Sequence, residues 1–236
     1  MAEGRSGLSR SVEDYLKGIY ALCETGEVAS TNAIAEALEV QPASVTGMVK
    51  RLAESGLLEH VPYRGVALTD EGTREALRIL RRHRIIETYL TEKLAYPWED
   101  VHREAERLEH AASDELIERM AARLEHPKHD PHGAPIPTSG GEIEATDSFT
   151  LGELGLNIEA QIRAIRDDDA EGLRTAETAG LLPGTRVKVV GKDRAAALLN
   201  VEVGIPDGTI SEISLDLAHR VYVVSVGERF TGRERS

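Results

Sequence analysis

The hydrophobic period of this chain changes once, and the change divides it. From Ser9 to Glu125 apolar residues recur at intervals of three and four. Beyond Ser148 they alternate in short runs: RVKVVG (186–191), LLNVEVG (198–204), ISEISL (210–215) and VYVVSV (221–226). The first spacing belongs to amphipathic helices and the second to half-buried strands. Between them lies HPKHDPHGAPIPTSGGEIEATDS (126–148), rich in proline, glycine and polar residues, which reads as a linker. The fold class expected is mainly α with a small all-β domain at the C-terminal end, a barrel preceded by a helix near Glu171–Ala179.

The helical part opens with SRSVEDYLKGIYALCET (9–25). Val12, Leu16, Ile19, Tyr20 and Cys23 form its apolar stripe, with Glu13 and Asp14 in the first turn. A short helix begins at Ser30 or Thr31. Gln41-Pro42 starts a third, since proline suits a first helical turn, and Gly56 stops it. LLEHVPYRGVALT (57–69) reads as two strands around Tyr63-Arg64-Gly65. Helix, helix, helix, hairpin is the order of a winged helix-turn-helix. Gln41, Ser44 and Thr46 are then placed to meet bases or phosphates, together with Thr31 and Pro42 at the helix starts. Lys50, Arg51 and Arg64 are placed for phosphates.

A long helix follows from about Asp70 to Leu94, then one from about Pro97 to Ala111, and one that starts at Ser113-Asp114 and ends near Glu125. The second of these carries VHREAERLEH (101–110). At about 100° per residue, Glu106, Glu109 and His110 fall at about 40°, −20° and 80° from His102. Two imidazoles and two carboxylates therefore share one stripe. Such like-charged neighbours repel, which a divalent cation or a basic partner helix would offset.

The net charge of −13 argues against a purely electrostatic nucleic-acid binder and suits a chain whose carboxylates hold cations. A single cysteine, Cys23, excludes an internal disulfide and suits the cytoplasm. No apolar run is long enough for a membrane span, so no membrane partner is expected. HExxH, nucleophile-elbow and phosphate-loop motifs are missing, so an enzyme with a small organic substrate is not expected.

EDYLKGIY (13–20), IAEALEVQPASVTGMVKRL (34–52), YRGVALTDEG (63–72), RRHRIIETYL (81–90), VHREAERLEH, HGAPIP (132–137) and LLPGTRVKVV (181–190) occur here in order. With this set the chain resembles the diphtheria-toxin-repressor family of metal-dependent transcriptional regulators over nearly its whole length. The resemblance implies a DNA-binding domain at 1–72 and a helical dimerisation and metal-binding domain at 73–126. It implies a linker at 127–148 and an SH3-like (FeoA-like) domain at 149–236. It implies a homodimer that reads a palindromic operator in double-stranded DNA, with a divalent metal as corepressor. The primary metal ligands implied are Asp14, Glu106, Glu109 and His110. The ancillary ligands are His83, Glu87 and His102, with Asp169 and Glu171 as third-domain candidates. The family's second third-domain ligand falls at Gly172, which has no side chain to offer.

The iron-sensing branch places methionine and cysteine where this chain has Asp14 and Glu106. Three carboxylates and one imidazole suit Mn²⁺ better than thiolate-preferring metals. Mn²⁺ is therefore the expected cofactor, with Fe²⁺ the alternative on the same scaffold and a metalloenzyme the remote one. Two-domain manganese regulators carry a glutamate where this chain has Lys17, so a closely paired second metal is not expected.

Overall fold

The computed structural model describes residues 8–23, 28–61, 64–145, 148–166 and 169–226. The chain divides into two compact units. The first comprises Met1–Tyr89, Glu104–Lys128 and Ile136–Glu144; the second comprises Leu90–Arg103, His129–Pro135 and Ala145–Ser236.

In the first unit, α1 (Arg10–Cys23), α2 (Thr31–Ala37) and α3 (Pro42–Glu54) pack around Leu16, Ile19, Ile34, Val45 and Leu52, each almost wholly buried. Ser30 caps α2, its Oγ accepting from the Ala33 N–H at 3.1 Å, and Pro42 opens α3. Strands β1 (Leu58–Val61) and β2 (Gly65–Leu68) form the hairpin, with Leu58 opposite Leu68 and Val61 opposite Gly65. Gly65 has φ of +135°, and a Cβ there would lie 2.2 Å from the Ala29 carbonyl oxygen. Only glycine permits that approach. It lets Ala29 and Val66 exchange two backbone hydrogen bonds of 3.0 Å, which tie the wing to the segment before α2. The order matches the winged-helix expectation. Pro62 and Tyr63, at the tip of that reading, lie outside the described residues.

Helix α4 spans Asp70–Leu94, as its period predicts. It ends with Ala95 at φ 54° and a bond from Tyr96 N to Leu90 O of 3.1 Å, the closing pattern of a left-handed helix cap. Helix α5 is shorter than expected, Val101–Leu108 and not Pro97–Ala111. At its start, Pro97 O accepts from Asp100 N in a separate turn. At its end, the Ala111 and Ala112 N–H groups both converge on Leu108 O, and the chain turns into α6 (Asp114–Arg123), which Ser113 caps.

The second unit is built on β3 (Phe149–Thr150), β4 (Glu159–Ile165), β5 (Arg186–Asp193), β6 (Leu198–Val203), β7 (Thr209–Ser214) and β8 (Val221–Ser225). All pairings are antiparallel, in the order β3-β8-β4-β5-β6-β7. Helices α7 (Ala170–Thr178) and α8 (Leu215–Arg220) complete it. Its core gathers Leu151, Ile162, Leu173, Leu181, Val189, Val201 and Val223. The segment HPKHDPHGAPIP, expected as linker, holds a specific conformation. The Asp130 carboxylate accepts from the His132 and Ala134 N–H groups at 2.9 Å, and His132 stacks on Trp98 with ring centroids 5.3 Å apart.

Candidate metal centre

Three of the four primary candidates converge in the first unit. Asp14, Glu109 and His110 each offer one ligand atom, and those atoms lie within 4.8 Å of one another. Asp14 comes from the first turns of α1. Glu109 follows the last residue of α5 yet keeps the helical bond from its N–H to Ala105 O, at 2.8 Å. His110 stands in the turn beyond, so the helical stripe read from the sequence is completed by a residue off the helix. His110 Nε2 lies 2.9 Å from Asp14 Oδ1 and 3.4 Å from Glu109 Oε1. Glu106 is on α5 but stands outside this group. Its side chain is 48% exposed, and its Oε1 is 3.7 Å from Lys17 Nζ.

Glu109 is the hinge of the arrangement. Its Oε1 accepts from Lys17 Nζ at 2.6 Å, and its Oε2 lies 2.6 Å from His83 Nδ1. His83 Nε2 in turn lies 2.9 Å from Glu87 Oε1, so α4 supplies His83 and Glu87 as an i, i+4 pair. Glu109, His83 and Glu87 are all buried. Burial lowers the His83 imidazole, but Glu87 and Glu109 outweigh it and hold its pKa up to about 9. Burial raises the Glu109 carboxyl, but His83 and Lys17 outweigh it, and its pKa is lowered. At Asp14 burial wins over the neighbouring His110, Lys17 and Arg10, and the carboxyl is raised.

Glu13, which the sequence marks only as a helix-start acid, proves central. It is 6% exposed. Its Oε2 lies 2.6 Å from His110 Nδ1, and its Oε1 accepts from Arg82 Nη1 at 3.3 Å. Arg82, also buried, donates from Nε and Nη2 to Asp114 Oδ1 at 3.3 and 3.0 Å. The sequence signal for Glu13 is its place on the flank of the apolar stripe, three and seven residues before Leu16 and Tyr20, where a solvated acid is out of place.

The other candidates sit as follows. His102 is on the first turn of α5 and belongs to the second unit, as do Asp169 and Glu171. Asp169 is the N-cap of α7: its side chain accepts from the Glu171 N–H at 3.1 Å and pairs with Arg220 at 3.3 Å. A Cβ on Gly172 would lie 2.7 Å from Asp169 Oδ2, so this cap has glycine beneath it. On the DNA-binding side, Thr31, Gln41, Pro42, Ser44, Thr46, Lys50, Arg51 and Arg64 are all exposed. Thr46 Oγ1 donates to Pro42 O at 3.2 Å, and a Cβ on Gly47 would meet nothing within 4 Å.

Three family descriptions tile the chain. They are the iron dependent repressor N-terminal DNA binding domain over residues 7–66, the iron dependent repressor metal binding and dimerisation domain over 69–138, and the FeoA domain over 149–225. The diphtheria toxin repressor of Corynebacterium glutamicum is 32% identical over 226 residues, covering 92% of this chain and 96% of that protein. The chain belongs to the diphtheria toxin repressor family. Members of this family are metal-dependent DNA-binding repressors that dimerise, and they are not enzymes. The iron-dependent repressor IdeR of Mycobacterium leprae is 31% identical over 92% of this chain and 97% of its own length. A solved manganese-dependent transcriptional repressor in complex with manganese superposes with a TM-score of 0.84 at 34% identity, covering 91% of this chain and all of that one. The chain thus has the three-part layout of the full-length family members. No helix among the described residues is long and apolar enough to cross a membrane.

Proposed function

We propose that this repressor answers to Mn²⁺ and, when loaded, shuts off genes for metal uptake by binding a palindromic operator as a dimer. The observation that carries the reading is the convergence of Asp14, Glu109 and His110 within 4.8 Å, with Glu106 on the same helix as the approach to Glu109. The set contains only carboxylates and an imidazole. Those hard and borderline donors suit Mn²⁺, whereas thiolate or thioether ligands favour softer ions. The close likeness to a manganese-dependent repressor supports the same choice.

The bound ion would supply two positive charges among three carboxylates. Asp14 belongs to the helix that opens the DNA-binding part, and Glu106, Glu109 and His110 to the metal-binding and dimerisation part. Holding one ion from both fixes α1, and with it the pose of α3 for the major groove. Such linkage is typically worth about 1–3 kcal/mol, and DNA must tighten metal binding by the same factor. Of the ancillary ligands that the resemblance implies, His83 and Glu87 lie in the first unit and His102, Asp169 and Glu171 in the second. Iron is the second reading. Relatives named iron-dependent repressors span nearly the full length, and Fe²⁺ accepts the same donors.

The test is retention of genomic DNA fragments by the purified protein at fixed ionic strength, with EDTA, with Mn²⁺, and anaerobically with Fe²⁺. Discrete fragments held only with Mn²⁺, and lost in Asp14→Ala and Glu106→Ala, support the proposal. Equal retention at lower free Fe²⁺ moves the assignment to iron. Retention indifferent to EDTA and to both substitutions refutes metal control.

A further inference from the structure

We propose that Glu13 is the positioning residue that presents His110 to the metal. The inference rests on the metal reading above and assigns a role to a residue outside the ligand set. Glu13 and Asp14 are consecutive on α1, so their side chains leave the helix about 100° apart. They meet the two nitrogens of one ring. Asp14 Oδ1 is 2.9 Å from His110 Nε2, and Glu13 Oε2 is 2.6 Å from His110 Nδ1.

A carboxylate facing Nδ1 can take a hydrogen bond from that nitrogen, and the other ring nitrogen, Nε2, is the one turned toward Asp14 and Glu109. A hydrogen bond of this kind to the far nitrogen orients a ligating imidazole and raises its basicity. Without it, the ring of His110, in a turn beyond the end of α5, loses its contact at Nδ1 and is positioned from the Nε2 side by Asp14 and Glu109.

A bland alternative is that Glu13 merely neutralises Arg82. The distances weigh against it. Glu13 is closer to His110, at 2.6 Å, than to Arg82, at 3.3 Å. Arg82 makes its two other hydrogen bonds with Asp114 in the first turn of α6. Arg82 therefore acts as a strut: it fixes the Glu13 carboxylate from behind and offsets its burial. The line Asp114–Arg82–Glu13–His110 joins α6, α4, α1 and the turn after α5. Through it α1 holds the centre twice, once by a ligand and once by the residue that aims another ligand.

The experiment compares Mn²⁺ dissociation constants, read from free Mn²⁺ by electron paramagnetic resonance. The proteins are the full-length chain, Glu13→Ala, Glu13→Gln and Asp14→Ala, the two Glu13 changes also being made in a His110→Ala background. Imidazole ¹⁵N shifts of His110 are recorded in EDTA as a readout independent of metal. Glu13→Ala is expected to weaken Mn²⁺ by about 10–100-fold. Glu13→Gln should weaken it less, because the amide oxygen still accepts from Nδ1–H. In the His110→Ala background neither change should add a loss. The ¹⁵N pattern should show a protonated Nδ1 in the wild type, and in Glu13→Ala the Nδ1 proton should be lost in favour of Nε2, which faces Asp14. If Glu13→Ala does not fold, as judged by its melt in EDTA, Glu13→Gln decides by the same criteria. Unchanged affinity in the folded Glu13 variants, with Asp14→Ala still weakened, overturns the role of Glu13 alone. An equal loss with and without His110 also overturns it. Failure of the wild type to bind Mn²⁺ overturns the metal reading on which it rests.

Discussion

If Glu109 holds Mn²⁺ as proposed, Lys17 contends with the ion for it, and removing Lys17 should tighten Mn²⁺ binding. Lys17 Nζ is 2.6 Å from Glu109 Oε1; the side chains are 20% and 0% exposed. At that separation the raw attraction is about 6 kcal/mol for an effective dielectric of 20. Desolvation of both groups and ordering of the lysine stem offset most of it. A hydrogen bond between charged groups keeps about 1.5–3 kcal/mol. An ion that takes Glu109 Oε1 displaces that hydrogen bond and gains an ammonium neighbour, and both effects oppose it. Lys17→Met keeps the stem volume and removes the charge. Mn²⁺ affinity should rise about 10–100-fold, since each factor of ten is about 1.4 kcal/mol. The melting temperature in EDTA should fall, because buried Glu109 loses one of its two close donors. Mn²⁺ titrations of the two proteins at one pH provide the assay. A folded Lys17→Met protein that binds Mn²⁺ no more tightly than the wild type would refute the reasoning.

Four further outcomes follow from the same structure. His83 has a pKa raised from 6.5 to about 9 in the fold, so its contribution to stability is full below about pH 6.5 and is lost as pH rises through about 9; denaturant midpoints in EDTA between about pH 6 and 10 should decline, and should decline less in His83→Gln. Asp114, lowered because Arg78 and Arg82 outweigh its burial, contributes in the opposite sense, with stability present above pH 3.8 and lost as pH falls through its depressed value; acid unfolding of Asp114→Asn checks it. Lys50→Ala with Arg51→Ala should weaken binding to all DNA sequences and shallow the salt dependence by about 0.9 log unit for each phosphate no longer neutralised, seen in binding isotherms over a salt series. Leu16→Ala, at a wholly buried position on α1, should cost about 2–5 kcal/mol in a urea titration.

Much of the helical half is legible in the sequence because its signals are local. A clear period and helix-stop residues place α4 at Asp70–Leu94. Proline at the first position places α3. The β half is legible only where branched residues alternate. Strand β4 is hidden because it carries Ala160 and Ala164 on its faces and a bulge between Ile162 and Ala164, which breaks the two-residue period. Helix α8 is hidden because ISEISL runs straight into it, and Ser214 both ends β7 and caps α8 at Leu217 N. At the candidate centre, Asp14, Glu109 and His110 come from the family resemblance, and helical spacing places the last two on one stripe. Glu13 and Arg82 do not, because what defines them is a pairing across 69 and 97 residues, between charged side chains that a single sequence shows only as charged. Where α5 stops is also hidden, since Glu109 and His110 continue its stripe by spacing while the backbone has begun to turn.

The two oxygens of Glu109 face different company, Oε1 toward Lys17 and His110, and Oε2 toward His83. A carboxylate is a rigid plane, so its oxygens cannot move independently. Any ligand that draws Oε1 tilts Oε2 against His83, and any change at His83 tilts Oε1. A pull on Oε1 is therefore felt at His83 through the rocking of one side chain.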